Sequence, residues 1–417
     1  MIRHQLPARS PLRLSALLHG LTSPGGARDR LGAQIASDYG ATRYLLVDSG
    51  TSALALSFLA CASGGSRPSV ALPAYACFDL MTAADAVDAE VLLYDLDPTT
   101  LGPAQGEIAR VLGLGARAVV AAHWYGFPVD LDPLREATRA AGALLIEDAA
   151  QALGVVCRGR PAGTIGDFGV LSFGRGKGRT GGGGGVLLAN DSVSAASLER
   201  VSGRLAQAPR DPSAQAALLA QWALGRPWLY VVPAALPFLG LGETAYRRPH
   251  PPAGMPARAA AIVLALWCDA ELEVAARRNR AAAWDRELAG VDAVIRYTAP
   301  ADTTPGWLRF PVLARPGRET VLRSPAMRRR GVMPGYPRTL DELPVGPDRL
   351  AAERSALHGA RRLTRQLFTL PSHGGVTPGD VRSVCQRLHG EKGGSRFASG
   401  DEFLRALQIQ AHLPARL

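Results

Sequence analysis

Short apolar runs recur through the first half of the chain. They cover Tyr44 to Val47, Ser69 to Leu72, Glu90 to Tyr94, Ala118 to Ala122, Ala143 to Ile146, Val170 to Phe173 and Val186 to Ala189. Each is too short for a helix and is closed by turn residues or by a helical pattern, so each reads as a buried strand. Helical periodicity follows at Ala53 to Ala62 and from about Asp132 to Ala141. Strands alternating with crossover helices predict an α/β layered sheet, with ligand sites beyond the carboxyl ends of the strands.

The pattern loosens from about residue 191. The stretch Ala216 to Leu241 is apolar but broken by Arg226, Pro227, Pro233 and Pro237, so no clean span of about 20 residues remains to cross a bilayer. It reads as core or dimer-interface helices, or as a shallow peripheral membrane contact. Arg247-Arg248-Pro249-His250-Pro251-Pro252 reads as a connector. Beyond it come a long helix from about 257 past Arg280, a strand from Trp307 to Leu313 and a closing helix from Thr377 to His389. Three parts are expected: a large domain over 1–250 with an apolar insert at about 195–250, a smaller α+β domain over 251–390, and an appended tail over 391–417 with an amphipathic piece at Glu402 to Leu407.

The 417 residues suit two domains. The net charge of +11 invites a nucleic-acid or membrane reading. The basic residues are dispersed, though, and only 6% of the chain is aromatic, which argues against base-stacking and leaves an anionic small substrate as a good fit. Five scattered cysteines form no CxxC pair, so neither a zinc site nor a disulfide framework is indicated. With no long apolar run at the N-terminus, a reducing cytoplasm is the expected setting.

One compositional fact changes the picture. Of 47 cationic residues, only Lys177 and Lys392 are lysines. Arginine stays protonated in proteins, whereas a lysine amine can become neutral and nucleophilic. A lysine inside the glycine-rich segment Gly174-Arg175-Gly176-Lys177 therefore points to chemistry that arginine cannot perform. Its spacing does not fit a nucleotide P-loop, because position 171 is Leu and position 178 is Gly.

Two further segments bear on it. Ser49-Gly50-Thr51-Ser52 lies between a strand and a helix, where free amides and hydroxyls can cradle a phosphate; the same letters also make an ordinary helix cap. Asp148, at the end of an apolar strand, needs either a cationic partner or a capping role, since a buried unpaired acid is unfavourable. A protonated pyridine nitrogen would be such a partner.

The order of these pieces is more specific than any one of them. The chain resembles the DegT/StrS family of sugar aminotransferases, which are fold-type I pyridoxal-phosphate enzymes. The resemblance is carried by Ser49 to Leu54, by Pro73-Ala74-Tyr75 with Ala83, and by His123-Trp124-Tyr125-Gly126 with Asp130. It continues through Glu147-Asp148-Ala149-Ala150-Gln151-Ala152, Gly166-Asp167 and Ser172-Phe173 to Lys177, and it covers about residues 25 to 390.

The resemblance implies a large domain with a mostly parallel seven-stranded sheet between helices, plus a smaller C-terminal α+β domain. It implies pyridoxal 5'-phosphate as cofactor, carried on Lys177, with Asp148 at the pyridinium, Gln151 at the phenolic oxygen, and Gly50, Thr51, Ser52 and Ser172 around the phosphate. It implies a nucleotide-linked keto sugar as acceptor, an amino acid (glutamate foremost) as donor, a homodimer, and a place in polysaccharide or glycan synthesis. The sugar dehydratases of this family lack the lysine.

Two positions depart from the family pattern. Cys77 stands where a ring-stacking aromatic is usual, which leaves Phe78 or Cys77 for that face. Tyr246-Arg247 is the nearest counterpart of the motif that the partner subunit contributes. A non-catalytic cofactor-binding scaffold of a polysaccharide-synthesis complex is the alternative reading.

Overall fold

A computed structural model describes residues 4–22, 24–62, 66–208, 212–231, 244–345, 348–351 and 356–390. The second part of the apolar stretch and the expected C-terminal appendage lie outside them. No described helix is long and apolar enough to cross a membrane.

The apolar runs become strands. They are β1 (Arg43–Val47), β2 (Ser69–Pro73), β3 (Glu90–Tyr94), β4 (Ala118–Ala122), β5 (Leu144–Asp148), a small ribbon β6 (Val156–Cys157) and β7 (Arg160–Pro161), β8 (Phe168–Ser172) and β9 (Gly185–Ala189). Seven of them form one sheet in the order β1-β9-β8-β5-β4-β2-β3. β9 alone runs antiparallel to its neighbours; the others run parallel, as expected for the α/β layer. β4 and β9 are buried at every position, consistent with a sheet covered on both faces.

Helices α1 (Leu14–Thr22), α2 (Ala27–Tyr39), α3 (Gly50–Cys61), α4 (Asp79–Ala86), α5 (Glu107–Gly113), α6 (Asp132–Ala140), α7 (Ser192–Ser202) and α8 (Pro212–Leu224) complete this half. α3 is buried at ten of its positions, from Gly50 to Cys61, because it is apolar all round rather than amphipathic.

The smaller body holds a four-stranded antiparallel sheet. Its strands are β10 (Val294–Arg296), β12 (Arg309–Ala314), β13 (Met333–Pro334) and β14 (Leu367–Pro371), ordered β10-β12-β14-β13, while the two-residue β11 (Thr303–Thr304) pairs with β6. Its own core gathers Trp284, Phe310, Phe368 and Val384.

Two local expectations are corrected. The long helix from 257 breaks at Leu266 into Ala257–Ala265 and Trp267–Glu287. Ala259, Ala260 and Trp267 pack into the core of the large sheet, whereas Ala281 and Trp284 pack into the smaller one. The strand expected from Trp307 starts only at Arg309, because Trp307 sits at φ 49°, a left-handed backbone that no strand accepts.

Candidate active site

The carboxyl ends of β1, β5 and β8 meet at one edge of the sheet, and a cavity of about 480 Å³ opens there. Gly50, Thr51, Cys77, His123, Asp148, Gln151, Ser172, Lys177 and Tyr336 are among its lining residues. Lys177 and Asp148, far apart in sequence, therefore face the same space.

β1 leads into the N-terminus of α3. Ser49 caps the helix: its Oγ accepts the Ser52 amide at 3.1 Å and pairs with the Ser52 hydroxyl at 3.0 Å. Ser52 is thereby committed to the cap and does not line the cavity, which separates it from Gly50 and Thr51. Gly50 has no room for a side chain, since a Cβ there would stand 2.9 Å from the Ser172 Cβ. The helix N-terminus, with its unpaired amides and positive dipole end, is pressed against the Ser172 hydroxyl. That arrangement fits a phosphate.

β5 delivers two consecutive acids. Asp148 points to the cavity, with one carboxylate oxygen accepting the Ala150 amide at 3.0 Å. Burial raises its pKa above the usual carboxylate range, only partly offset by the Ala150 bond and the charge of Lys177. A buried acid that lacks enough partners of its own suits a cationic ring nitrogen.

Glu147 points away. Its Oε1 faces His123 Nε2 at 2.9 Å, and its Oε2 accepts the amides of Ile165 at 2.8 Å and Gly166 at 3.1 Å. Burial alone would raise its pKa, but the His123 bond and charge, together with backbone amides, hold it below the usual range. The Val129 amide donates to His123 Nδ1 at 3.1 Å. Nδ1 is therefore the acceptor nitrogen, and Nε2 carries the proton given to Glu147. This buried pair fixes the ring that lines the cavity beside Asp148.

The small body closes the site with Tyr336. Gln151 Nε2 donates to the Tyr336 hydroxyl at 2.9 Å, and the Tyr336 amide donates to the Tyr75 hydroxyl at 2.9 Å. Tyr75 and Tyr125 share a hydroxyl contact of 3.1 Å, and the Tyr125 and Tyr336 rings stack with centroids 5.8 Å apart. Burial, followed by the neighbouring phenol of Tyr125, raises the pKa of Tyr336 well above that of a free phenol, so it works as a neutral hydroxyl. Tyr125 holds a left-handed backbone at φ 57° and ψ 23° in the turn after β4, a conformation that is strained for a non-glycine residue. The aromatic set was not foreseen as a unit, since its three members come from separate segments.

Phe78 corrects an expectation. It is 4% exposed, belongs to the main core and does not line the cavity. Helical backbone at the start of α4 turns it inward, and Cys77 takes the cavity-facing place. Burial and the nearby Asp79 push the Cys77 thiol up, with Lys177 acting against them, so it stays a neutral, unreactive thiol. The supposed connector also reaches the site: Arg247, Arg248 and His250 line the cavity together with Arg175.

The model of the DegT/DnrJ/EryC1/StrS aminotransferase family matches residues 13–210 and 252–389. The chain belongs to this family. Its cofactor is accordingly pyridoxal 5'-phosphate, and the Gly50–Ser172 cradle and the under-partnered Asp148 fit that group. Among relatives, the L-glutamine:scyllo-inosose aminotransferase of Streptomyces griseus is 36% identical over 193 residues, covering 44% of each chain. The GDP-perosamine synthase of Caulobacter vibrioides is 31% identical over 169 residues, 40% of this chain and 45% of that one. The chain thus aligns with less than half the length of these curated relatives. The crystal structure of the sugar aminotransferase CalS13 from Micromonospora echinospora superposes with a TM-score of 0.72 at 25% identity, covering 94% of this chain and all of that one.

Proposed function

We propose that this protein transfers an amino group from an amino acid, glutamate foremost, to a keto sugar carried on a nucleoside diphosphate. It would act as a homodimer and serve polysaccharide or glycan synthesis. The observation that carries the reading is the shared cavity of Lys177 and Asp148.

Pyridoxal phosphate, when bound, supplies the electron sink that makes a carbon next to nitrogen acidic. The chain's own residues do the rest. Lys177 would hold the cofactor through its amine, and as a free amine it would move protons at the substrate carbon. Asp148 would favour the protonated ring nitrogen. Gly50, Thr51 and Ser172 bind the phosphate, and Tyr336 holds the Gln151 amide in place. Arg175, Arg247 and Arg248 bring positive charge to the remaining space, which suits a diphosphate better than a neutral cyclitol.

The test loads the protein in its pyridoxamine form with GDP- and dTDP-linked keto sugars and, separately, with scyllo-inosose. Return of the aldehyde form with a nucleotide-linked sugar is the expected result. Return with scyllo-inosose alone would overturn the acceptor class, and no return with any acceptor would favour a binding or scaffolding role. Reloading with glutamate and with glutamine then identifies the donor.

A further inference from the structure

We propose that Ser10 is a positioning residue for Lys177, acting through a strap that ties the lysine's main chain to the smaller body. The proposal rests on the reading that Lys177 carries the cofactor.

Lys177 is set among Gly174, Gly176 and Gly178, and Gly176 has φ +76°. Glycine has more backbone freedom to lose on ordering than any other residue, so the loop needs anchors from outside. Within the loop, the Lys177 amide reaches the Gly174 carbonyl at a long 3.3 Å. The short contact comes from elsewhere: the Ser10 hydroxyl donates to the Lys177 carbonyl at 2.6 Å. Ser10 is 2% exposed, so its hydroxyl cannot readily exchange this bond for water.

Ser10 is itself held from the other side. The Gln5 amide donates to the Arg329 carbonyl at 2.8 Å, and the Gln5 side chain donates to the Gly375 carbonyl at 2.8 Å. His373 Nδ1 accepts the Gly375 amide at 3.2 Å, so its Nε2 bears the proton given to the Leu6 carbonyl at 2.9 Å. Burial lowers the His373 pKa to about 4, which keeps that ring neutral. The fully buried Arg277 donates to the Arg9 carbonyl at 2.8 Å. With Gln5, Leu6 and Arg9 each moored, the strap has one register. A slip of one residue would carry Ser10 about 3.3 Å from its partner.

Ser10→Ala removes this anchor from the Lys177 carbonyl. One hydrogen bond of this kind corresponds to roughly a tenfold change. Amide hydrogen exchange across 174–178 in the cofactor-free protein should rise about tenfold. In the loaded protein, the pH midpoint of the lysine-bound chromophore should shift, and kcat should fall while KM for the amino donor holds. Ser10→Thr, which keeps the hydroxyl, should restore all three. Exchange and midpoint unchanged in Ser10→Ala would overturn the proposal, as would equal disturbance by Ser10→Ala and Ser10→Thr, which would mark a packing position. Lys177→Arg separates the two readings. A chromophore lost in that variant, together with an unperturbed Ser10→Ala, would reject the positioning role alone; a chromophore retained would reject both.

Discussion

Glu147 and Asp148 are neighbours on one strand, yet the two sides of β5 treat them oppositely. Strand alternation sends them to opposite faces. On one side, Glu147 meets His123 and two backbone amides, and its pKa is lowered. On the other, Asp148 has the Ala150 amide and an open cavity, and its pKa is raised. A carboxylate with a full set of partners holds the fold together. One left short of partners can take a cation from outside the chain, and in the proposed reading that cation is a protonated pyridine nitrogen.

The largest effect that would break this contrast is functional. Asp148→Asn should lower transamination about 10²–10⁴-fold, the equivalent of breaking a buried charge pair worth roughly 3–5 kcal/mol. The same variant should not lower the denaturant midpoint of the cofactor-free protein, because it removes an under-partnered charge. A large loss of apo stability would mean that Asp148 is structural, like its neighbour.

Glu147→Ala should do the reverse. Removing it strands the His123 Nε2–H and two buried amides, so unfolding free energy should fall by about 3–5 kcal/mol in denaturant titration. A change below about 1 kcal/mol would deny the pair its structural part.

The pH dependence sharpens the comparison, because the two shifts carry opposite signs. The lowered pKa of Glu147 contributes stability above the ordinary carboxylate range that is lost as pH falls through its folded value. The raised pKa of Asp148 gives the cofactor-free protein stability below that range that is lost as pH rises through its folded value. Denaturant midpoints of the apo protein against pH should therefore lose their acid-side fall in Glu147→Gln. In Asp148→Asn they should lose the decline that sets in as pH rises above the ordinary carboxylate value. Profiles parallel to wild type in both variants would reject the assignment.

The smallest effect lies at the rim. Tyr336→Phe releases the Gln151 amide and should weaken cofactor binding by about 1 kcal/mol, roughly fivefold, read by equilibrium dialysis. An unchanged affinity would place Gln151 outside cofactor contact.

Much of the sheet was legible because its strands are short, continuous apolar runs between turn signals, a pattern that buried parallel strands impose. Lys177 stood out because arginine fills nearly every other cationic position, and Asp148 because an acid closes an apolar run. Other features depend on how the chain closes in space. The direction of Phe78 is set by helical backbone at the start of α4, and nothing local distinguishes it from Cys77. Tyr75, Tyr125 and Tyr336 lie on three separate segments, so no window of sequence shows them together. Arg247, Arg248 and His250 read as a connector because prolines surround them, but that connector runs across the cavity. Ser10 carries no motif at all, and only the folded strap reveals its partner.

The proposed link between Lys177 and the cofactor is covalent and can be read directly. Borohydride reduction of the protein loaded with pyridoxal phosphate, followed by peptide mass spectrometry, has only two lysines to choose between, Lys177 and Lys392. The cofactor mass should appear on the peptide containing Lys177. The label on Lys392, or on neither lysine, would contradict it.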